Sequence, residues 1–446
     1  MRHSLALLLL LGCGDDNANV TPDSPPPPPA DGPLPDAPGV DDFTAGEQAL
    51  LAQLTPLGAP PADPTNAFAD NAAAATLGQR LFFDKSYSGA LAVGDSGSNG
   101  GLGPVGAVGK VSCASCHAAG SEALDDRRSL PGNVSLGAAL MGRNALGMVN
   151  ASFYAWTNWG GRFDSQWSLP LAVAEGGATM KGTRLQVAHM LFDKYRTEYD
   201  AIFPIDLDAR LADTTTFAAA GKPGDAAFDT LSDADKLIIN TIYANFGKAL
   251  AAYMRTLVSR NAPFDRYVAG DRDAIGDSAK RGLHLFLEHC TSCHIGSNFS
   301  DDQFHALAVP QTGPGVPATD NGRFQDVPAL LTSPFNTSGA FSDDITTGKL
   351  TGLVQADAQK GQFRTKSLRN IAGSAPYMHA GQLATLADVV AFYNVGGGDV
   401  GATGIVKDVK LVPLNLDAAK QADLVAFLET LTGDAVPAAR VVDTSK

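Results

Sequence analysis

Two pentapeptides constrain this chain more than anything else in it: Cys113-Ala114-Ser115-Cys116-His117 and Cys290-Thr291-Ser292-Cys293-His294. Both read C-x-x-C-H. Two thiols at this spacing match the two vinyl groups of one porphyrin. The histidine that follows falls beneath the ring, where an imidazole nitrogen can reach iron. One such pentapeptide also serves as a redox dithiol or as half of a zinc site, so the spacing alone leaves three chemistries open. The chain holds five cysteines, and the fifth, Cys13, lies in its leader. A repeated motif in an exported chain with no other mature cysteine points to two covalently attached c-type haems. A zinc-stapled module would need its ligands drawn together from distant segments.

Export is read from the amino terminus. Met1-Arg2-His3 is a short basic stretch, followed by an apolar run through Leu11 that is too short to span a bilayer. Leu10-Leu11-Gly12-Cys13 has the form of a bacterial lipobox, so residues 1–13 read as a lipoprotein signal with Cys13 as the acylated anchor. Residues 14–58, with prolines at every position from Pro25 to Pro29, read as an extended Pro/Asp-rich tether. The expected place is the bacterial cell envelope, facing the periplasm, with the membrane touched only through the lipid. Of the net charge of −14, ten acids fall between Gly14 and Gln79, where there is no Lys or Arg. The remainder is mildly acidic and offers no basic face for nucleic acid.

With 44% hydrophobic and 18% charged residues, the rest of the chain has globular composition. Helical spacing of apolar residues predicts helices over Thr76–Phe83, Leu237–Val258, Ser278–His289 and Leu386–Tyr393. A Gly/Ser-rich stretch from Ser88 to Gly109 predicts a long loop, and alternating strand patterns are scarce. The fold class is therefore mainly α, as two c-type cytochrome domains with long irregular loops. The boundaries read as 59–265 and 266–435, with a tail over 436–446. No histidine follows the first motif until His189, which reads as a packed helix residue.

Beyond the two motifs, several segments resemble the bacterial dihaem cytochrome c peroxidases and their MauG branch. Gly78 to Asp84 is similar to the family's opening helix. Arg143-Asn144, then Asn150-Ala151-Ser152-Phe153, then Trp159-Gly160-Gly161-Arg162 resemble its R-N…N-x-x-F…W-D-G-R stretch. Asn298 to Asp302 and the run from Phe363 to Asn370 into Ala375-Pro376-Tyr377-Met378-His379 match the second domain.

The resemblance implies two haem groups, held by Cys113, Cys116 and His117 and by Cys290, Cys293 and His294, across an interdomain haem–haem interface. It implies that peroxide is met at the amino-terminal haem and that electrons pass through the carboxy-terminal one, with Trp159 between them. A calcium ion would be held by the Asn144 side chain and the Ser374 and Pro376 carbonyls. The sixth ligand of the second haem falls on Tyr393, as in the MauG branch, where classical members place methionine; Met378 is the competing candidate. Two family positions depart: a distal glutamine is Leu169 and a distal catalytic glutamate is Thr179. Glu175 is the nearest carboxylate that could stand in. The implied partners are hydrogen peroxide and either a small periplasmic donor (cytochrome c or cupredoxin) or a protein substrate. The alternative is a dihaem electron-transfer protein without catalysis.

Overall fold

The computed structural model describes residues 39–93, 102–117, 134–399 and 405–445. Cys13, the leader, the tether up to residue 38 and the centre of the Gly/Ser-rich stretch lie outside them. The chain divides into a unit ending at Asp42 and a unit from Phe43 to Lys446, and all the helices belong to the second.

The first half contributes α1 (Ala45–Leu51), α2 (Ala72–Phe83), α3 (Ser168–Glu175), α4 (Arg184–Ile202), α5 (Ala226–Asp229) and α6 (Asp233–Met254). The second contributes α7 (Pro263–Val268), α8 (Asp277–His289), α9 (Arg323–Leu331), α10 (Leu386–Asn394) and α11 (Ala418–Glu429). Among the described residues the one sheet is a short antiparallel pair, β1 (Phe304–Ala306) on β2 (Gln362–Arg364). No described helix is long and apolar enough to cross a membrane. The chain is mainly helical.

Each half is built on one crossed helix pair. In the first, α2 packs on α6; in the second, α8 packs on α11. The same local sequence, Gly-x-x-Leu-Phe, makes both crossings possible: Gly78 with Leu81 and Phe82, and Gly282 with Leu285 and Phe286. A Cβ on Gly78 would sit 2.0 Å from the Ala249 carbonyl oxygen, and one on Gly282 would sit 1.9 Å from that of Asp423. Only glycine lets the backbones approach so closely. The phenylalanine four residues on fills the crossing: Phe82 meets Tyr253 at 5.3 Å between ring centroids, and Phe286 meets Phe427 at 4.9 Å. Two buried clusters follow, one around Trp167, Tyr243 and Phe246 and one around Phe264, Phe286 and Phe427.

The ends of the chain cross over. Composition assigns 43–58 to the tether, but Leu54 is fully buried in the second cluster and Phe43, Leu50 and Leu51 pack against it. The physical reason is that these apolar residues recur at helical spacing on α1, with Thr44 and Glu47 forming a capping box. The carboxy-terminal tail closes on the first half: Gln79 donates to the Ala439 carbonyl at 2.9 Å, and Tyr253 to that of Arg440 at 2.6 Å. Helices α3, α9 and α11 escape the sequence reading, and α4 is foreseen only around His189. Pro170 and Pro328 interrupt the pattern of α3 and α9, and charged residues dilute that of α4 and α11.

The halves are joined by buried ion pairs. Arg143 donates to both carboxylate oxygens of Asp320 at 2.7 Å and to Asp326 at 2.7 Å. Arg364 N–H donates to the Trp159 carbonyl at 2.8 Å, and Asn144 N–H to that of His379 at 2.8 Å.

Candidate functional site

Both cysteine motifs open into cavities. The larger, of about 270 Å³, is lined by Cys290, Cys293 and His294 together with Leu386, Val389, Val390 and Tyr393 from α10. Those four recur at i, i+3, i+4 and i+7, so α10 presents one face to the cavity. Asn394 fixes the helix end, accepting from Leu416 N–H at 2.7 Å and donating back to its carbonyl at 3.0 Å. The His294 Nδ1–H donates to the Phe299 carbonyl at 2.9 Å. That bond fixes the tautomer and leaves Nε2 its lone pair, the arrangement a metal-bound imidazole takes. Burial keeps His294 below its ordinary imidazole range and lifts the Tyr393 phenol above its own.

The smaller cavity, of about 80 Å³, is lined by Cys113, His117 and Gln166 with the apolar Leu169, Val173 and Leu250. Cys113 to Ser115 form a single 3-10 turn, braced by Ser112 N–H donating to the Ser115 hydroxyl at 3.0 Å. Tyr87 lies 3.7 Å from the Cys113 sulfur. Burial pushes the Cys113 thiol up to about 11 and, aided by Cys293, the Cys290 thiol up to about 12. Thiols so raised are poor redox nucleophiles. None of the four motif cysteines is in a disulfide and each pair sits in a different half, so they build no joint four-cysteine zinc site. Paired free thiols beside a histidine and an apolar chamber are the donor set that covalent haem requires.

Residues 72–273 match the family model of the di-haem cytochrome c peroxidases. A cytochrome-c peroxidase, IdrP1 of Denitromonas iodatirespirans, is 33% identical over 307 residues, covering 65% of this chain and 68% of that relative. The methylamine utilization protein MauG of Methylophilus methylotrophus is 34% identical over 193 residues, 42% of this chain and 47% of its own. This chain belongs to the di-haem cytochrome c peroxidase family. It is an oxidoreductase of the dihaem peroxidase type, and the family implies two c-type haems. Among solved structures, the diheme peroxidase BthA from Burkholderia thailandensis shares the fold at a TM-score of 0.58 and 21% identity, over 86% of this chain and 93% of that one. A MauG-like protein associated with microbial copper homeostasis does so at 0.57 and 24%, over 87% and 99%.

Against this family's pattern, the remaining candidates fall into place unequally. Trp159 lines the larger cavity, its Nε1–H donating to the Asn144 carbonyl at 2.8 Å. Asn144, Ser374 and Pro376 line the same cavity, and the buried Asn144 amide keeps its Nδ2 unpartnered. That unpartnered atom is an N–H donor, which no cation can use; the amide oxygen accepts from the Ser135 hydroxyl at 3.5 Å. Met378 also lines this cavity.

Leu169 lines the smaller cavity, but Thr179 turns its hydroxyl onto the Val173 carbonyl at 2.5 Å. Glu175 does not reach the cavity. Its carboxylate takes Arg184 Nε at 2.8 Å and Nη2 at 2.8 Å, and Lys222 holds its carbonyl at 2.7 Å. The ion pair with a buried arginine turns it away, which corrects the expectation that Glu175 stands in for the missing acid. His189 is satisfied by the Phe217 carbonyl at 2.9 Å.

Two residues the sequence reading missed complete the picture. Gln166 lines the smaller cavity; its Nε2 donates to the Ala151 carbonyl at 2.8 Å, while its buried Oε1 has no partner. It lies one turn before Leu169, so a register counted from Trp159 passes it by. His305 lines the larger cavity between Asp408, at 2.6 Å, and Asp301, at 2.9 Å. A hydrogen bond to Cys293 and these two carboxylates push it up to about 10. Cys293, Asp301 and His305 are the one group of metal-ligand type found among the described residues. The Phe-His-Ala sequence of β1 gives no sign of it.

Proposed function

We propose that this protein reduces hydrogen peroxide at the Cys113–His117 site and draws the electrons through the Cys290–His294 site. The observation that supports this best is the unlike lining of the two cavities. The larger sets an oriented histidine and a tyrosine on one wall system, which suits a closed, electron-passing iron. The smaller sets His117 against an apolar wall of Leu169, Val173 and Leu250, with hydrogen-bonding groups from Gln166, Asn158 and Tyr154 on its remaining sides, which suits a chamber for a small neutral oxidant. When bound, the haem groups supply iron that accepts peroxide and passes electrons singly.

In this reading Cys113, Cys116, Cys290 and Cys293 form the thioethers, and His117, His294 and Tyr393 give ligands to iron. A phenolate is a harder donor than a thioether and favours the oxidised metal, which places the chain nearer the MauG branch. Trp159 links the sites, and Asn144, Ser374 and Pro376 hold calcium at the joint between the halves. Cys13 anchors the protein by lipid in the periplasm-facing envelope. There a small cytochrome c or cupredoxin, or a protein substrate, exchanges electrons with it.

A second reading, a dihaem electron carrier, is favoured by the first cavity itself. Leu169, the hydrogen-bonded Thr179 and the arginine-paired Glu175 leave no carboxylate among its described lining residues. The deciding experiment mixes the diferric holoprotein with peroxide and follows visible spectra and peroxide loss. We expect both to change; a silent spectrum with no consumption means an electron carrier. Tyr393→Phe should alter the second haem's spectrum and leave the first untouched, and an unchanged second signal means that Tyr393 is not its ligand.

A further inference from the structure

Trp159 lines one cavity; Tyr154 lines both. Arg364 and Lys366 also line both and clasp the Tyr154 ring, with the Arg364 Cζ 3.5 Å and the Lys366 Nζ 4.6 Å from its centroid. The same Lys366 Nζ lies 5.5 Å from the Trp159 ring, so one ammonium joins the two aromatics. The phenol oxygen accepts from Ser367 N–H at 2.8 Å and shares a hydrogen bond with Lys366. From the other cavity, Gln166 Nε2 reaches the Tyr154 carbonyl at 3.3 Å. The ring is thus held on every side, and a fixed group needs little rearrangement when its charge changes.

We propose that Tyr154 is a second electron relay between the two sites, beside Trp159. The proposal rests on the dihaem peroxidase reading above. One electron leaves Tyr154, as the phenolate paired with the Lys366 ammonium, for the peroxide-derived oxidant at the first site, and the shared proton stays on Nζ. One electron from the second site then restores the phenolate. Tyr154 ends unchanged, peroxide is reduced and the external donor is oxidised. Burial raises the phenol, but the charges of Lys366 and Arg364 outweigh it and bring it below its ordinary range, which eases this step. Trp156, two residues on, makes the contrast. It lines neither cavity, so it is not placed to pass an electron from one site to the other.

The test uses holoprotein loaded with both haems, as wild type and Tyr154→Phe, each also grown with ring-deuterated tyrosine. The first readout needs no peroxide: after flash reduction of one haem, the rate of equilibration between haems should fall by about tenfold or more in Tyr154→Phe. The second is electron paramagnetic resonance after peroxide, where a radical signal narrowed by the label should be present in wild type and lost in the variant. Equal equilibration rates with an unchanged radical overturn the relay. A wild type inert to peroxide overturns the peroxidase reading instead, and the flash experiment still decides whether Tyr154 carries electrons. Unchanged haem content and folding of Tyr154→Phe, checked by visible absorbance and circular dichroism, separate either result from a failure to fold.

Discussion

The two halves use one helix crossing and two different chambers. Gly78 on α2 and Gly282 on α8 lie so near backbone carbonyls that an added Cβ would sit 2.0 and 1.9 Å from them, and each is followed by a Leu-Phe pair. The chambers these frames support differ more than threefold in volume, about 80 against about 270 Å³. They share Tyr154, Arg364 and Lys366 but differ otherwise: the first adds His117 and the Gln166 amide, the second His294, Tyr393 and the His305 carboxylate cluster. The difference teaches where the chemistry is decided. The helix pair sets a common frame, and the loops and α10 laid over it make one site large, with a tyrosine beside its histidine, and the other small, with Leu169, Val173 and Leu250 on its wall.

The largest expected effect comes from emptying the chambers one at a time. The double substitution Cys290→Ser with Cys293→Ser should forfeit about 6 kcal/mol of stability, if an unfilled cavity costs ~24 cal/mol per Å³. Cys113→Ser with Cys116→Ser should forfeit only about 2 kcal/mol on the same scale. Chemical unfolding of each variant beside the wild type gives the ratio, and denaturing gels stained for covalent haem show which site was lost. Equal losses would break the comparison at its base.

Much of that comparison was legible beforehand, and the limits are physical. C-x-x-C-H carries its chemistry in five consecutive residues, so both attachment sites read directly from the chain. Tyr393 could be placed on the cavity-facing side of α10 because that helix is regular. Glu175 misled because sequence cannot show that Arg184, nine positions on, takes its carboxylate. Gln166 stayed hidden because its two acceptors, Ala151 and Tyr154, lie across an irregular loop. The crossed termini were equally out of reach. Nothing local to residues 43–58 says that they pack on the second half while the tail returns to the first.

A pH effect should separate the halves next. His379 lines the larger cavity, stacked on Phe363 at 4.1 Å between centroids, and burial holds it down at about 4. Its ordinary value is near 6.5, so as pH falls the unfolded chain takes the proton first. The contribution is fully present above pH 6.5 and is lost between there and about 4, amounting to roughly 3 kcal/mol. Tyr377-Met378-His379 belongs to the second half, so that half should soften first on acidification, and His379→Gln should flatten the pH dependence. Thermal melts at pH 7 and pH 4.5, on wild type and variant, measure it; an unaltered slope in the variant removes His379 as the cause.

The shared frame makes the opposite claim, of equal effects. Gly78→Ala and Gly282→Ala each drive a methyl against a backbone carbonyl that cannot move aside, so each should cost about 1–3 kcal/mol. The comparison sharpens if the two losses agree and if haem attachment survives in both. A loss confined to one half would show that the crossings are alike in geometry but not in the load they carry.

The smallest effect tests what the first chamber does with its unpartnered amide oxygen. Gln166 commits its Nε2 to two backbone carbonyls, which fixes the amide and leaves Oε1 as an acceptor without a donor. A buried acceptor costs free energy unless something donates to it, and hydrogen peroxide can donate. With Leu169 apolar and Glu175 bound to Arg184, Gln166 offers a peroxide O–H a buried acceptor that has no donor of its own. Such a bond contributes little to proton delivery, so the expected loss is modest. Gln166→Leu should slow the bimolecular reaction with peroxide by about tenfold, equivalent to ~1.4 kcal/mol. Electron exchange at the second haem should be untouched, because Gln166 does not line that cavity. Gln166→Glu separates two roles for the position: a carboxylate there can also carry a proton, so a rate above wild type means that proton delivery, not orientation, limits this chamber.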